Sequence, residues 1–194
     1  LRVCNAHTKD ISDLSFVNED GCLVSVSWDR SMKVVCEIPK ASSATGMITS
    51  YELAALREVN DVHEKDIVCV DVSRSLSLIA TGSADFSILV WDFTTFTFEG
   101  ILTDHTCELT CLCFVDGRPA LVSADCRGTI MIWPVRPRWD KYERPLHKIK
   151  IADCVTQIRV VSIKKPSRRR HRDPIVRKAR PTFKDNVVIL LLVS

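Results

Sequence analysis

The sequence predicts an all-β protein built from a repeated unit of short strands. One observation is the stretch TGSADFSILVWD (residues 81–92), in which a polar, turn-like run leads directly into four apolar residues. An apolar run without alternation is typical of a strand buried on both faces. A second observation is a set of residue types that recurs at fixed distances from three histidines. Together these features indicate similar sheets that cover one another's faces.

The composition is that of an ordinary folded protein. The 194 residues are 46% apolar and 26% charged, enough for one sizeable core or two small ones. The longest apolar run has seven residues (187–193), whereas a membrane-spanning helix needs about 20. Because the sequence also lacks an amino-terminal charged-then-apolar signal, we expect a cytoplasmic or nuclear protein.

The nine cysteines are an odd number and are scattered through apolar stretches. This pattern favours buried small hydrophobic side chains in a reducing compartment over disulfides. The one cluster that hints at a metal is His105 with Cys107, Cys111, Cys113 and Cys126. No second tight cysteine pair completes a four-ligand set there, so we expect no metal and no cofactor.

The repeat is measured from His7, His63 and His105. In all three copies an apolar residue stands at +4, +7 and +9, and a hydroxyl residue at +18. These residues are Ile11, Ile67 and Leu109; Leu14, Val70 and Leu112; Phe16, Val72 and Phe114; and Ser25, Thr81 and Ser123. The copies start 56 and 42 residues apart, and the surplus of 14 fits in residues 38–50, where ASSATG is typical of a loop.

Repeats of about 40 to 45 residues made of short strands, with Trp-Asp at a strand end, are typical of a four-stranded propeller blade. These segments resemble WD repeats, and the resemblance covers residues 1 to about 161. In that family a buried hydrogen-bond chain links a loop His, a Ser/Thr, a turn Asp and a Trp. The resemblance implies that His63, Thr81, Asp85 and Trp91 form this structural tetrad, as a staple and not as a catalytic triad.

The other two copies depart from the family pattern. The first has His7, Ser25 and Asp29 but Val35 at the Trp position. The third has His105, Ser123 and Trp133 but Arg127 at the Asp position. We therefore expect partial tetrads in both copies; Asp125, two residues earlier, is an alternative whose shifted position leaves its role open.

The apolar run of the second copy is expected to pack on both sides. Because side chains alternate along a strand, Ile88 and Val90 should face one neighbouring blade, and Leu89 and Trp91 the other.

The predicted fold is thus a partial WD-repeat propeller with about three to four blades, a fragment of a longer propeller. The predicted blades span residues 5–59, 60–102 and 103–151, with a fourth starting at 152. Residues 164–184 are a basic insertion loop or linker, and residues 185–194 an apolar strand. That strand belongs to the fourth blade, with Ser194 at the hydroxyl position, or else ends an unstructured tail; both alternatives stay open.

Four residues at the predicted rim are candidates for protein binding. Position +3 is acidic in each copy, with Asp10, Asp66 and Glu108, and these acids could dock a basic partner or simply be solvated strand ends. Trp28 precedes the turn residue Asp29, and an exposed aromatic there would anchor contacts, unless it packs under a neighbouring blade.

A separate basic segment is the candidate for binding polyanions. Residues 164–194 carry ten Lys/Arg against two acids, whereas residues 1–163 carry 17 against 22. The candidate residues are Lys164, Lys165, Arg168, Arg169, Arg170 and Arg172. The segment resembles a nuclear-import signal or a nonspecific binder of nucleic acid, acidic protein tails or anionic lipid; a basic loop without a dedicated partner is the alternative.

The sequence therefore predicts a noncatalytic scaffold that binds other proteins. Residues 24–34 (VSVSWDRSMKV) and 121–137 (LVSADCRGTIMIWPVRP) are similar to repeats of long ciliary and flagellar WD-repeat proteins, which implies a ciliary assembly. The alternative is a nuclear factor held on RNA or chromatin by the basic segment. An enzyme acting in the propeller channel is a third hypothesis, and the sequence shows neither a nucleotide-binding loop nor converging acids for it.

Overall fold

The computed structural model describes residues 7–41, 46–115, 118–136, 143–162 and 187–193. Within these ranges the chain forms fourteen β-strands, in three four-stranded antiparallel sheets and one two-stranded sheet. None of the described parts forms a helix of the length and apolarity needed to cross a membrane. The predicted all-β class, a partial propeller, is confirmed.

Blade 1 consists of β1 (Ile11–Val17), β2 (Cys22–Ser27), β3 (Met32–Ala41) and β4 (Ile48–Val59), which pair in chain order. The described surplus residues of this copy do not form the predicted loop. They lengthen a β-hairpin, because β3 and β4 stay paired from Met32 and Val59 out to Ala41 and Ile48. Residues 42–45, which include most of ASSATG, lie outside the described residues.

Blade 2 repeats this order over a shorter stretch of chain. Its strands are β5 (Ile67–Ser73), β6 (Leu78–Ser83), β7 (Ile88–Asp92) and β8 (Phe98–Leu102). Every residue of β6 is buried, which explains why this strand shows no alternation between apolar and polar residues.

Blade 3 has the same arrangement, with β9 (Leu109–Phe114), β10 (Ala120–Asp125), β11 (Thr129–Pro134) and β12 (His147–Lys150). The first three strands are largely buried, whereas all four residues of the outer strand β12 are exposed. The outer edge of this blade is therefore open to solvent in the part that the structure describes.

The fourth sheet pairs β13 (Val155–Ser162) with β14 (Val187–Val193). Its register differs from the predicted one. The +7 residue pairs with the +18 hydroxyl in the other blades, as Val70 does with Thr81, but Ile158 pairs with Leu191. The hydroxyl position predicted at Ser194 is therefore occupied by Leu191; Ser194 and residues 163–186 lie outside the described residues.

The blades pack face to face through three apolar clusters. Leu89 and Trp91 belong to the cluster shared with blade 1, and Ile88 and Val90 to the cluster shared with blade 3. The predicted division of this run between two neighbours is confirmed. The third cluster joins blade 3 to β13, where Val155 is fully buried.

Hydroxyl groups also connect the inner strands of neighbouring blades. The Ser12 Oγ donates to the carbonyl of Ile67 at 2.6 Å, and the Thr110 Oγ1 donates to the carbonyl of Val155 at the same distance. Each bond runs from one blade to the first residue of the next inner strand, so adjacent sheets are held at a fixed position along their strands.

One face of blade 1 is uncovered. Its +4, +7 and +9 residues, Ile11, Leu14 and Phe16, are 47%, 51% and 57% exposed. The corresponding residues of blade 3 are all buried against blade 2. Blade 1 thus presents a surface that a preceding blade covers elsewhere in the molecule, as expected for part of a longer propeller.

Candidate functional site

The predicted tetrad of blade 2 is brought together by the loop before β5, strand β6 with the turn that follows it, and strand β7. His63 Nε2 lies 2.9 Å from the hydroxyl of Thr81, which also accepts the indole N–H of Trp91 at 3.3 Å. On the other side of the ring, Nδ1 lies 3.2 Å from the carboxylate of Asp85. Because a carboxylate only accepts, Nδ1 carries the proton and Nε2 accepts from Thr81.

Blade 1 has the same arrangement without the tryptophan. His7 Nε2 lies 2.8 Å from Ser25, and its Nδ1 lies 3.2 Å from Asp29. The backbone N–H of Thr8 donates to the same carboxylate at 2.8 Å. The chain of bonds therefore ends at Ser25, because Val35 provides no donor.

Blade 3 corrects the expectation of a partial tetrad. His105 Nδ1 lies 3.1 Å from Asp125, its Nε2 lies 2.7 Å from Ser123, and Trp133 donates to Ser123 at 2.8 Å. Asp125 ends β10 two residues after Ser123, and residues two apart on a strand point to the same face. The carboxylate therefore reaches the histidine from the strand itself, and the network closes without the side chain of the turn residue Arg127.

Each network also contains a hydroxyl residue at +24 from its histidine, and this residue was not predicted from the sequence. These residues are Ser31, Ser87 and Thr129. Ser87 donates to Asp85 at 2.5 Å from its hydroxyl and at 2.9 Å from its backbone N–H, and Ser31 does the same to Asp29. The signal was present in the sequence, since all three copies have Ser or Thr at this distance from the histidine.

Burial favours the neutral form of His63 and His105. Desolvation lowers the pKa of His63 and of His105, although the carboxylates of Asp85 and Asp125 act to raise it. Burial acts to raise the pKa of Asp85, but hydrogen bonds from Ser87 and from the backbone of Glu64, together with the neighbouring His63, outweigh it and the pKa is lowered. These networks are buried and fully bonded, so they stiffen the turns between strands.

The inner strands line a cavity of about 670 Å³ that contains two acids not singled out from the sequence. Asp13 accepts the backbone N–H of Val70 at 2.9 Å, and Asp71 accepts that of Phe114 at 2.7 Å. Burial raises the pKa of both carboxyl groups despite these bonds. Each acid thus links its own blade to the next one.

The cysteines only partly follow the expectation. Cys22 and Cys36 face each other across β2 and β3 and form a disulfide, which contradicts the expectation that the cysteines would be unpaired. Cys69 and Cys111 are buried, and burial raises the pKa of both thiols, that of Cys111 to about 11. Among the described residues, no group of three or more His, Cys, Asp or Glu side chains is placed to hold a metal ion.

Each predicted acidic rim residue accepts a backbone hydrogen bond from the residue just before the +22 position of its copy. The backbone N–H of Trp28 donates to the carbonyl of Asp10 at 3.1 Å, and Ala84 and Cys126 make the same bond to Asp66 and Glu108. The Trp28 side chain is 45% exposed in the part of the chain that the structure describes. Asp10 and Glu108 are exposed and Asp66 is half-buried.

The predicted polyanion-binding residues lie outside the described residues. They are Lys164, Lys165, Arg168, Arg169, Arg170 and Arg172. The last described residue before them is Ser162, at the end of β13.

The repeated sheets, their face-to-face packing and their His-centred turns define a WD-repeat propeller. The WD40 family model (WD domain, G-beta repeat) matches residues 1–35, 56–92 and 96–134, more than half of the chain. The chain therefore belongs to the WD40 repeat family.

Among curated proteins, the chain is 33% identical over 81 residues to Periodic tryptophan protein 2 of Arabidopsis thaliana, covering 42% of the chain and 9% of that protein. It is 26% identical over 145 residues to the U3 snoRNP-associated protein-like EMB2271 of the same plant, covering 71% of the chain and 30% of that protein. It is also 29% identical over 109 residues to the WD repeat-containing protein on Y chromosome of Anopheles gambiae, covering 53% and 10%. The chain thus spans less than a third of the length of each of these relatives.

Solved structures with the same fold include the RRP9 WD40 repeats (TM-score 0.64, 19% identity) and U3-55K (TM-score 0.61, 20% identity). Each match covers 81% of this chain and 44% of the solved one, so the chain corresponds to part of a longer propeller. None of these relatives has a name that refers to a cilium or flagellum, so the predicted ciliary assignment has no support from them.

Proposed function

We propose that the chain is part of a noncatalytic WD-repeat scaffold in a nuclear RNA-containing complex, the alternative that the sequence analysis left open. The observation that carries the proposal is the similarity to a U3 snoRNP-associated protein along 71% of the chain. A second support is the basic segment of residues 164–180, which has nine Lys/Arg and one acid. Such a segment provides phosphate contacts without reading sequence.

The geometry supports a scaffold because the rim is rigid. The buried networks centred on His7, His63 and His105 fix the turns that carry the rim residues. Rigid positioning lowers the entropy that exposed side chains lose when a partner binds. A propeller blade therefore presents its rim as a preformed docking surface.

We propose Trp28 and Asp10 as the centre of the protein-docking surface. Trp28 has a large exposed apolar side chain. Its backbone N–H donates to the carbonyl of Asp10, and Asp10 is itself exposed. An aromatic side chain beside a carboxylate suits a partner segment with both apolar and basic residues. Asp66 and Glu108 extend the acidic side of the rim toward blade 3.

The experiment for the complex is affinity purification of the intact protein from nuclear extract, with and without ribonuclease. We expect a reproducible set of RNA-binding proteins together with a discrete small RNA. Part of this protein set should be lost after ribonuclease treatment. The proposal also predicts salt-sensitive RNA binding that Arg168→Ala, Arg169→Ala and Arg170→Ala together weaken. Recovery of partners without RNA, and RNA binding unaffected by the triple substitution, would rule out the RNA-associated assignment.

The rim is tested by Trp28→Ala with Ile38→Ala as the matched control. Ile38 is 42% exposed on β3 of the same blade, so the two substitutions remove similarly exposed apolar surface. Partners that dock on the rim should be lost with Trp28→Ala and kept with Ile38→Ala, with melting temperatures close to that of the unchanged protein. Equal partner recovery from both variants would place the docking surface elsewhere.

A further inference from the structure

The disulfide between Cys22 and Cys36 lies at the base of the long β3–β4 hairpin of blade 1. Cys36 is the last buried residue of β3, and residues 37–41 are all exposed. Among the described residues, β3 pairs with β2 only from Met32 to Cys36, whereas it pairs with β4 as far as Ala41. The crosslink therefore stands where the packed sheet gives way to a two-stranded extension, which we define as residues 37–41 and their partners in β4.

The strand pairing places the two cysteine side chains opposite each other. The backbone N–H of Glu37 donates to the carbonyl of Gly21 at 3.2 Å, so these two residues form a hydrogen-bonded pair. Cys22 and Cys36 are the next pair along and therefore form a non-hydrogen-bonded pair, in which opposing side chains come closest. Two thiols at these positions are thus held close enough to join.

Both cysteines are buried in the apolar cluster that blade 1 shares with blade 2. A reagent in solution reaches them only when the strands open locally. The extension favours such opening, because the described side chains in residues 37–41 and 46–49 are all exposed and no packing supports its pairing. A two-stranded hairpin by itself is only marginally stable in water, so this end of blade 1 should open more often than the packed blades.

The other described cysteines are not paired. They are Cys69, Cys107, Cys111, Cys113, Cys126 and Cys154. The bond between Cys22 and Cys36 thus depends on their position in the ladder and not on a general tendency of this chain to form disulfides. A reducing compartment keeps cysteines as thiols, so a pair that is poised to join there reports the arrival of an oxidant.

We infer that Cys22 and Cys36 form a reversible redox site that exchanges with low-molecular-weight disulfides, and that its oxidised form holds the extension in place. In the oxidation, one cysteine thiolate attacks a sulfur of the external disulfide, whose S–S bond breaks and releases one thiol. The second thiolate then attacks the protein sulfur of this mixed disulfide and releases the other thiol. Two electrons pass from the cysteines to the external disulfide, and the two protons pass to the released thiols. Reduction is the reverse sequence.

Reduction should loosen the extension for two reasons. Two separate thiols need more room than two bonded sulfur atoms, and the close-packed cluster around them has little to give, so β2 and β3 move apart at this pair. The crosslink also joins residues 14 positions apart and restricts the opened chain, and this restriction is lost on reduction. The inference does not rest on the proposed function, because neither effect involves RNA or a protein partner.

The test equilibrates the intact protein in mixtures of reduced and oxidised glutathione. Acid quenching, alkylation of free thiols and mass spectrometry of the peptides that contain Cys22 and Cys36 give the oxidised fraction. Hydrogen exchange of the backbone amides in residues 37–41 is measured in both redox states. The test variant is Cys22→Ala/Cys36→Ala, and the control is Cys126→Ala, which removes an exposed free thiol of blade 3.

We expect the pair to pass from thiols to disulfide and back as oxidised glutathione is raised and lowered. In the reduced form the amides of residues 37–41 should exchange about tenfold faster. The test variant should exchange as the reduced protein does in every mixture, and Cys126→Ala should respond as the unchanged protein does.

Two results would overturn the reversible site: a pair that remains a disulfide in reduced glutathione alone, and a pair that remains as thiols in an excess of oxidised glutathione. Equal exchange of residues 37–41 in the two redox states would overturn the effect on the extension. If the test variant does not fold, the two redox states of the unchanged protein still decide between these outcomes.

Discussion

The imidazole of His105 lies 3.1 Å from the carboxylate of Asp125, a residue 20 positions along the chain, whereas His63 reaches Asp85 at a separation of 22. One acid at the end of β10 thus performs the part that a turn residue performs in the other blades. The same acid accepts the backbone N–H groups of Arg127 and Thr129, at 3.0 and 2.9 Å. The network therefore tolerates a changed sequence because its geometry is kept.

Asp125→Asn should destabilise the protein by about 1–3 kcal/mol, because the buried histidine loses its charged partner. Asp85→Asn should cost a similar amount in blade 2. Arg127→Ala is the matched control and should change the free energy of unfolding little, since only the backbone of Arg127 takes part in the network. Urea unfolding of the intact protein measures all three. A larger effect of Arg127→Ala than of Asp125→Asn would show that the turn residue, not the strand acid, organises blade 3.

Trp133→Phe should cost more stability than Trp91→Phe. The indole of Trp133 is fully buried and donates to Ser123 at 2.8 Å, whereas Trp91 is 8% exposed and donates to Thr81 at 3.3 Å. We expect about 1–3 kcal/mol for the first substitution, from the lost hydrogen bond and the cavity, and about 1 kcal/mol for the second. Thermal unfolding monitored by circular dichroism gives the order, and the reverse order would contradict the described geometry.

Gly128→Ala should destabilise strongly through the contact between blade 3 and the start of the fourth sheet. A Cβ at this position would overlap the backbone oxygen of Asp153 and lie 2.8 Å from that of Ile151, and the residue has a φ of +77°. Gly46→Ala is the control, because its φ of +67° is similar but no atom lies within 4 Å of the added Cβ. The control measures backbone strain alone, about 1–2 kcal/mol. Comparable losses in the two variants would mean that Gly128 does not approach Asp153 closely.

Stability should fall as the pH falls through about 6.5, the ordinary pKa of histidine. Burial lowers the pKa of His63 and His105, so near this pH the folded state binds fewer protons than the unfolded one, and acid favours unfolding. Burial raises the pKa of Asp13 and Asp71, which acts in the opposite direction. Melting temperatures across this range should therefore be compared with those of His63→Asn/His105→Asn, which keeps both acids. A slope that is unchanged in the double variant would assign the pH dependence to other groups.

The fold was predictable because each repeat places the same residue type in the same environment. The run from Ile88 to Trp91 shows this, since alternate side chains meet different neighbours and all four can be apolar. The tetrad of blade 2 could likewise be named from the resemblance to WD repeats, because all four residues of the family pattern are present there. A fixed spacing fails where a residue at another position supplies the same chemical group. Asp125, at the end of strand β10, supplies the carboxylate that a turn residue supplies in blades 1 and 2.

Other features depended on pairing that residue types alone do not specify. The surplus residues of blade 1 extend β3 and β4, because ladder hydrogen bonds can continue past the point where packing requires them. The predicted register of β14 was wrong by three residues, because a uniformly apolar strand contains no residue that marks its pairing position.

Ultraviolet crosslinking of the intact protein to RNA in living cells, followed by identification of the crosslinked peptides, tests the RNA-associated assignment most directly. We expect crosslinks within residues 164–180 and recovery of a discrete small RNA that decreases when Arg168, Arg169 and Arg170 are replaced by Ala. Absence of crosslinked RNA above the level of an unrelated WD-repeat protein would contradict it.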